Sequence, residues 1–342
     1  MKLVIVTDAW HPQVNGVVRT LERTREELVK LGHEVAVVSP QCFFTVPCPT
    51  YPEIRLSVAT KYDIAVEIKK YAPDHIHIAT EAMLGMAARS YCRSHGLNFT
   101  TSYHTRFPEY LSARVPIPLH WSYAYLRRFH NSGIGCMVAT QTLEQDLKSK
   151  GFKNLKRWSR GVDTEVFKPE RRIDHGFEGP VQLYVGRVAV EKNIEEFLQT
   201  NVPGTKVIVG DGPARLELSK RFPDAKFLGV KTGDELADIY ACADVFVFPS
   251  RTDTFGIVLL EALASGVPVA AHPVMGPIDV VGEHHEIGVL NNDLNDAIRG
   301  ALKGDRNACR NFALQRSWTK TAELFIDNIE TSRTTRFSSL AV

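Results

Sequence analysis

Short runs of apolar residues alternate along this 342-residue chain with longer stretches whose apolar positions recur every three or four residues. The short runs fit buried strands, and the three-to-four spacing fits one face of a helix. KLVIVTD at the start reads as a strand ending in polar residues. A loop with Asn15 and Gly16 follows, then a helix from Val17 to Leu31 closed by Gly32. HEVAVVSP is a second strand, IAVEIKKYAPDHIHIAT a helix then a strand, AMLGMAARSYCRSHG a helix and LNFTTSYHT a strand; CMVATQ with TLEQDLKSKG repeats the pattern. His77 falls in or beside a strand. Strands and helices alternating at this spacing build βαβ units and a parallel sheet.

Across residues 161–180 the periodicity stops, Pro and Gly appear, and the stretch reads as a linker. The alternation then restarts with VQLYVGR, NIEEFLQTN, TKVIVGDG, ARLELSKRF, AKFLGV, GDELADIYACA, DVFVFPS and GVPVAAH. The chain is therefore expected to form two doubly wound, Rossmann-like α/β domains, residues 1–165 and 170–316, with a cleft between them. SWTKTAELFIDNIETS, about 317–331, reads as an amphipathic terminal helix, and TSRTTRFSSLAV as a frayed tail. Ligands of such sheets bind outside the carboxyl ends of the strands, so candidate residues are sought directly after strands.

Composition narrows the class. The length exceeds one ordinary core. With 44% hydrophobic and 23% charged residues the chain has a soluble globular balance. No run of 18 apolar residues suggests a membrane span. The opening apolar run is too short for a signal peptide and reads as a strand. Six cysteines lie scattered without a CxxC, which argues against disulfides and zinc and fits a reducing cytoplasm. Residues 1–165 carry 21 Lys and Arg against 15 Asp and Glu, while the remainder carries 20 against 24. A basic first half suits an anionic partner such as a membrane surface, and ordinary surface variation explains it equally well.

The chemistry centres on SRTDTFGIVLLEALASG, residues 250–266. A strand ends just before it, and a helix is expected to begin near Thr254 or Phe255. The amides of Thr254, Phe255, Gly256 and Ile257 then lack helical partners and, with the helix dipole, suit a phosphate or diphosphate. Asp253 is expected at the cap and Glu261 inside the helix, about 7.5 Å beyond Gly256 at roughly 1.5 Å per residue. Two carboxylates so placed can accept sugar hydroxyls on either side of a diphosphate. The plainer alternative is a cap with a solvated Glu, which the surrounding apolar run disfavours. YVGRVAVEKN places Arg187 and Lys192 after a strand, where two cations can stabilise a phosphate leaving group. VIVGDGP places Gly210 and Gly212 in a tight turn, with or without a nucleotide contact. In the first domain Gly16 precedes a helix and His104 follows a strand. No spacing supports a metal, and no nucleic-acid motif is present. Residues 110–133 interleave Trp121, Tyr123 and Tyr125 with Arg127 and Arg128, which fits a membrane interface or a core helix.

Taken in order, NGVVRT, YHT, VGRVAVEKN, VGDGP, FVFPS and DTFGIVLLEALASGVPV resemble the retaining glycosyltransferases of family 4, with the GT-B fold. The resemblance runs from the first strand through RSWTKTAELF. It implies that Asp253 holds donor-sugar hydroxyls and Glu261 the ribose. The family's first acid is usually Glu, so Asp253 reaches one methylene less. Arg187, Lys192 and the amides near Thr254, Phe255, Gly256 and Ile257 are implied for the diphosphate, with Gly210, Gly212 and Val230 joining the donor-binding set. Gly16 lets the first domain approach the donor, and His104 lies near the reacting centre. The terminal helix returns to the first, acceptor-binding domain. The family needs no divalent metal or other cofactor. The TDTFG variant and YHTRFPEYL look most like its glycolipid-forming branch, with diacylglycerol glycosyltransferases, sulfolipid synthases and mannosyltransferases. That resemblance favours a UDP-sugar donor, a diacylglycerol acceptor and peripheral association with an anionic cytoplasmic membrane face. A GDP-mannose-dependent mannosyltransferase is the alternative within the family. A sugar-nucleotide epimerase and a non-catalytic sugar-nucleotide-binding protein are the alternatives outside it.

Overall fold

The computed structural model describes residues 1–13, 15–48, 51–112, 118–173, 176–251, 253 and 255–339. The chain divides into two compact units, Met1–Ser159 with Trp318–Val342, and Arg160–Ser317.

The first unit runs β1 (Lys2–Val6), α1 (Gly16–Lys30), β2 (Glu34–Val38), β3 (Thr45–Cys48), β4 (Tyr51–Ser57), α2 (Lys61–Tyr71), β5 (His75–Ile78), α3 (Met83–Ser94), β6 (Phe99–Tyr103), α4 (Phe107–Ser112), α5 (Leu119–His130), β7 (Gly135–Val138), α6 (Gln141–Ser149) and β8 (Leu155–Arg157). Six strands pair in parallel in the order β2-β1-β5-β6-β7-β8. Strand alternation sorts β1 between two cores. Val4 and Val6 pack with Ile64, Ile68, Leu84 and Phe129 on one face, and Leu3 and Ile5 with Leu21, Leu28 and Phe325 on the other. His77 lies fully buried in β5. The antiparallel hairpin β3–β4 interrupts the βαβ alternation.

The second unit runs β9 (Val181–Val185), α7 (Ile194–Leu198), β10 (Thr205–Val209), α8 (Arg215–Arg221), β11 (Lys226–Gly229), α9 (Gly233–Cys242), β12 (Val245–Phe248), α10 (Ile257–Ala264), β13 (Val269–Ala271), α11 (Pro277–Val280), β14 (Gly288–Leu290), α12 (Leu294–Ala301) and α13 (Arg306–Leu314). Its parallel sheet has the order β11-β10-β9-β12-β13-β14. The strand order turns from one side to the other between β9 and β12, and the carboxyl ends of those two strands flank the place where ligands bind in open α/β sheets.

Two expectations are corrected. The stretch read as a linker is tied to the second unit. Phe167 is buried against Tyr240 at 5.5 Å, and Arg310 donates to the carbonyls of Phe167 and Thr164. The tail read as frayed is helical through Ser339, in α14 (Trp318–Ser339). Ala322, Phe325, Ile326 and Ile329 bury one face of that helix on the first unit, at about 1.5–3 kcal/mol for each large side chain. Thr331 and Ser332 return their hydroxyls to the carbonyls of Asp327 and Asn328, each at 2.6 Å. Their polarity is thereby met inside the helix.

Candidate functional site

The loops after β9 and β12 carry the residues that the sequence singles out. After β9 the chain passes Arg187 and makes a short turn, Val190–Lys192. Lys192 Nζ lies 2.5 Å from Asp253 Oδ1, and both side chains are one-fifth exposed. The other carboxylate oxygen, Asp253 Oδ2, is buried and has no hydrogen-bond partner among the described residues; Ser250 Oγ is in the same state. Buried polar atoms are nearly always paired, so an orphaned carboxylate oxygen beside an ammonium group points to a missing hydrogen-bond donor.

The helix after β12 starts later than the sequence suggests. Its cap is Gly256 at φ 83°, not Asp253, and its first residue is Ile257. Only glycine holds that backbone angle without strain, and a Cβ there would also press on Phe248 and Leu259. The leading amides, of Ile257 and Val258, precede the turn's first bond, Leu259 N to Gly256 O at 3.0 Å. Phe255 is buried. Thr254 lies outside the described residues. Asp253 is thus a loop residue whose geometry comes from Lys192 rather than from a capping bond.

Glu261, the fifth residue of α10, is 2% exposed. Burying a carboxylate is costly unless it is hydrogen-bonded, and the Tyr240 hydroxyl on α9 donates to Glu261 Oε2 at 3.0 Å. A second network backs the same loops. The Glu196 carboxylate receives the Asn193 amide, His272 Nε2 and Arg251 Nη2. Partial burial of Glu196 opposes ionisation, but those donors outweigh it and hold its pKa below the ordinary carboxylate value. Asn193 also donates to Pro249 O, so the ends of β9, β12 and β13 are tied together.

The glycines divide into two kinds. A Cβ on Gly210 would lie 1.9 Å from Gly186 O, and one on Gly212 2.3 Å from Val188 O. These two are required by backbone packing between the loops after β9 and β10. Gly16, the first residue of α1, has nothing within 4 Å of its would-be Cβ; the fold makes no demand for glycine there. Val230, just past β11, is well exposed.

In the first unit His104 follows β6 directly, with its ring edge-on to Trp158 at 5.8 Å. Trp158 donates Nε1 to Thr321 O and packs on Phe325 of α14, so the returning helix shapes the wall beside His104. The aromatic stretch sorts by helix face. Trp121 is 67% exposed and Tyr125 44%, whereas Tyr123 is buried and donates to Glu109 at 2.6 Å. Residues 113–117 of that stretch lie outside the described residues. No described helix is long and apolar enough to cross a membrane.

Sequence reasoning missed Tyr240, Asn193, Glu196, Arg251 and His272. Tyr240 carried a signal, a tyrosine inside the apolar helix GDELADIYACA. The others read as ordinary surface polar residues.

Two parallel six-stranded α/β units, with charged loops at the second sheet's switch point, have the architecture of the GT-B fold. The sucrose-phosphate synthase of Thermosynechococcus elongatus superposes with a TM-score of 0.79 at 19% identity, over all of both chains. Residues 14–166 match Glycosyltransferase Family 4, and residues 179–303 match glycosyl transferases group 1. The GDP-mannose-dependent alpha-mannosyltransferase of Mycolicibacterium smegmatis is 30% identical over 96% of this chain and 97% of its own. Sulfoquinovosyl transferase SQD2 of Arabidopsis thaliana is 32% identical, covering 83% and 62%. Alpha-monoglucosyldiacylglycerol synthase of Streptococcus pneumoniae is 26% identical, covering 88% and 75%. The chain belongs to glycosyltransferase family 4 and is a glycosyltransferase.

Proposed function

We propose that the protein transfers mannose from GDP-mannose to a membrane lipid, with retention at the anomeric carbon. The observation that carries the donor site is the Lys192–Asp253 pair, which leaves Asp253 Oδ2 buried and without a partner among the described residues at the switch point. In this reading Asp253 Oδ2 accepts a sugar hydroxyl. Lys192, Arg187 and the leading amides of α10 take the diphosphate, and Tyr240 holds Glu261 for the ribose. The bond from the anomeric carbon to the phosphate oxygen breaks, the acceptor oxygen attacks the same face, and the leaving diphosphate takes the acceptor's proton. His104 and Gly16 are the first unit's candidates for a role in transfer. Charge on the diphosphate is met by Lys192, Arg187 and amides, so activity is expected to survive EDTA.

GDP-mannose is supported by the M. smegmatis relative, which aligns over nearly the full length of both chains. A UDP-sugar with diacylglycerol, the choice the sequence motifs favour, is the second reading, and the pneumococcal relative supports its diacylglycerol part. That relative also supports a lipid acceptor. Exposed Trp121 and Tyr125 on α5 suit an interfacial position for the first unit. The test is a mass-spectrometric screen of GDP-mannose and UDP-glucose against a lipid extract. A mannosylated lipid formed from GDP-mannose is the expected result. Product from UDP-glucose alone selects the second reading, and transfer to soluble sugars alone overturns both.

A further inference from the structure

The Lys192–Asp253 pair joins two loops, and a second set of polar bonds joins the same two loops at neighbouring positions. Asn193 and Glu196 follow Lys192 closely in the chain, and Pro249 and Arg251 precede Asp253. Glu196, on α7, is the centre of that set. Arg251 Nη2 lies 3.3 Å from Glu196 Oε1 and 3.2 Å from Oε2. His272 Nε2, just past β13, lies 3.2 Å from the same carboxylate, and the Asn193 amide donates to it as well. Both oxygens are therefore engaged by side chains of the protein. Asp253 differs: its Oδ2 is buried and has no hydrogen-bond partner among the described residues. Asp253 is left open for a ligand, and Glu196 is filled from within the fold.

Asn193 carries the connection to Lys192. Its backbone is left-handed, at φ 54°, a conformation that asparagine tolerates better than most residues. It closes the Val190–Lys192 turn through its N–H on Val190 O at 3.0 Å and leads into α7. Its amide lies between Glu196 and Pro249 O, the latter at 3.3 Å. His272 is fully buried, with Nδ1 3.2 Å from Asn291 O, so the ring that meets Glu196 is held at both nitrogens. A lysine is a point charge on a flexible four-carbon stem. Where its ammonium group rests depends on how firmly the backbone beneath it is fixed.

We infer that Glu196 is a positioning residue of the donor site. Through Asn193 and Arg251 it sets the turn that carries Lys192 against the loop that carries Asp253, so that the ammonium group meets the diphosphate. The inference rests on the reading of Lys192 as a diphosphate contact.

The test uses the full-length protein with GDP, GMP, UDP and UMP as probes, by calorimetry and, for the weaker monophosphates, by competition. For the base it prefers, the parent should bind the diphosphate at least about tenfold tighter than the monophosphate, the ratio of one charge-assisted contact. Lys192→Ala should remove most of that preference. Glu196→Ala should lower it about three- to tenfold, and Glu196→Gln, which keeps an acceptor oxygen but not the charge, by less. Asn193→Gly keeps the backbone angle, loses the amide and should match Glu196→Ala. Monophosphate affinity should stay within about twofold throughout, and with Lys192 already replaced by Ala the Glu196 change should alter the preference by less than about twofold. Thermal unfolding reports that each variant is folded; if Glu196→Ala is not, Glu196→Gln and Asn193→Gly decide. Equal losses of monophosphate and diphosphate affinity mark a merely structural role and overturn the inference. So does a preference that survives in the Glu196 variants, or one whose losses add fully to those of Lys192→Ala. If Lys192→Ala lowers the preference and the Glu196 variants do not, the donor site stands and the positioning role falls. A parent that binds neither diphosphate, or shows no preference, removes the donor reading and the positioning role with it.

Discussion

The first unit should lose stability in acid through its buried histidines, and His77→Gln isolates one of them. His77 is fully buried between Thr100 and Ser102, with hydrogen bonds of 2.9 and 2.8 Å, and its ring meets Phe325 at 4.9 Å. Burial first, and neighbouring His75 second, push its pKa well below the ordinary 6.5. Burial also lowers His75 and His130 to about 3. An unfolded chain takes up these protons near pH 6.5, whereas the folded one refuses them. The stability is therefore fully present above about 6.5 and is lost as pH falls, by about 1.4 kcal/mol per pH unit for each ring. At pH 5 that is about 2 kcal/mol per ring and about 6 kcal/mol for three.

Glu81 acts with the opposite sign. Burial raises its pKa to about 7, so the folded state binds its proton first and gains about 3 kcal/mol at pH 5; Asp8, also raised by burial, adds in the same direction. The parent's net loss is therefore about 3 kcal/mol or less. The variant removes only the ring at position 77, since a glutamine amide can serve the same two hydroxyls, and its loss between pH 7.5 and pH 5 should be smaller by about 2 kcal/mol. All four tryptophans, at 10, 121, 158 and 318, belong to the first unit, so urea unfolding followed by tryptophan fluorescence reports that unit alone. Parallel stability–pH curves for parent and variant would refute the argument.

Lys192→Ala should lower turnover by about two to three orders of magnitude, the usual cost of a charge-stabilising donor, with an unchanged melting temperature because its side chain is partly exposed. Tyr240→Phe removes a donor from a buried carboxylate and should cost about 1.5–3 kcal/mol of stability; combined with Glu261→Leu in a double-mutant cycle, the losses should be clearly less than additive in urea titrations. Gly210→Ala forces a Cβ to within 1.9 Å of Gly186 O and should yield unfolded or strongly destabilised protein. Gly16→Ala meets nothing within 4 Å, so its melting temperature should stay put while transfer falls, and unaltered transfer would remove Gly16 from the site.

Much of the fold was legible because its signals are local. Continuous apolar runs such as VQLYV and VFVF mark strands buried on both faces, and the intervening helices follow from three-to-four spacing. Two parallel sheets, and the rule that ligands sit at strand ends, are consequences of that alternation. So was the nomination of Arg187, Lys192, Asp253 and Glu261, each on or next to a loop that follows a strand. Tertiary structure decided how those residues are used. Lys192 meets Asp253 across 61 positions because β9 lies directly beside β12, with β10 and β11 displaced to the other side. Tyr240 meets Glu261 because α9 and α10 pack together. Whether Gly256 or Asp253 caps a helix turns on one backbone angle that no periodicity encodes. Local pattern determines which segments are strands and helices, because it depends on side chains a few positions apart. Strand order and loop geometry determine which charges meet, because ion pairs and orphaned oxygens depend on distances of about 3 Å between residues far apart in the chain.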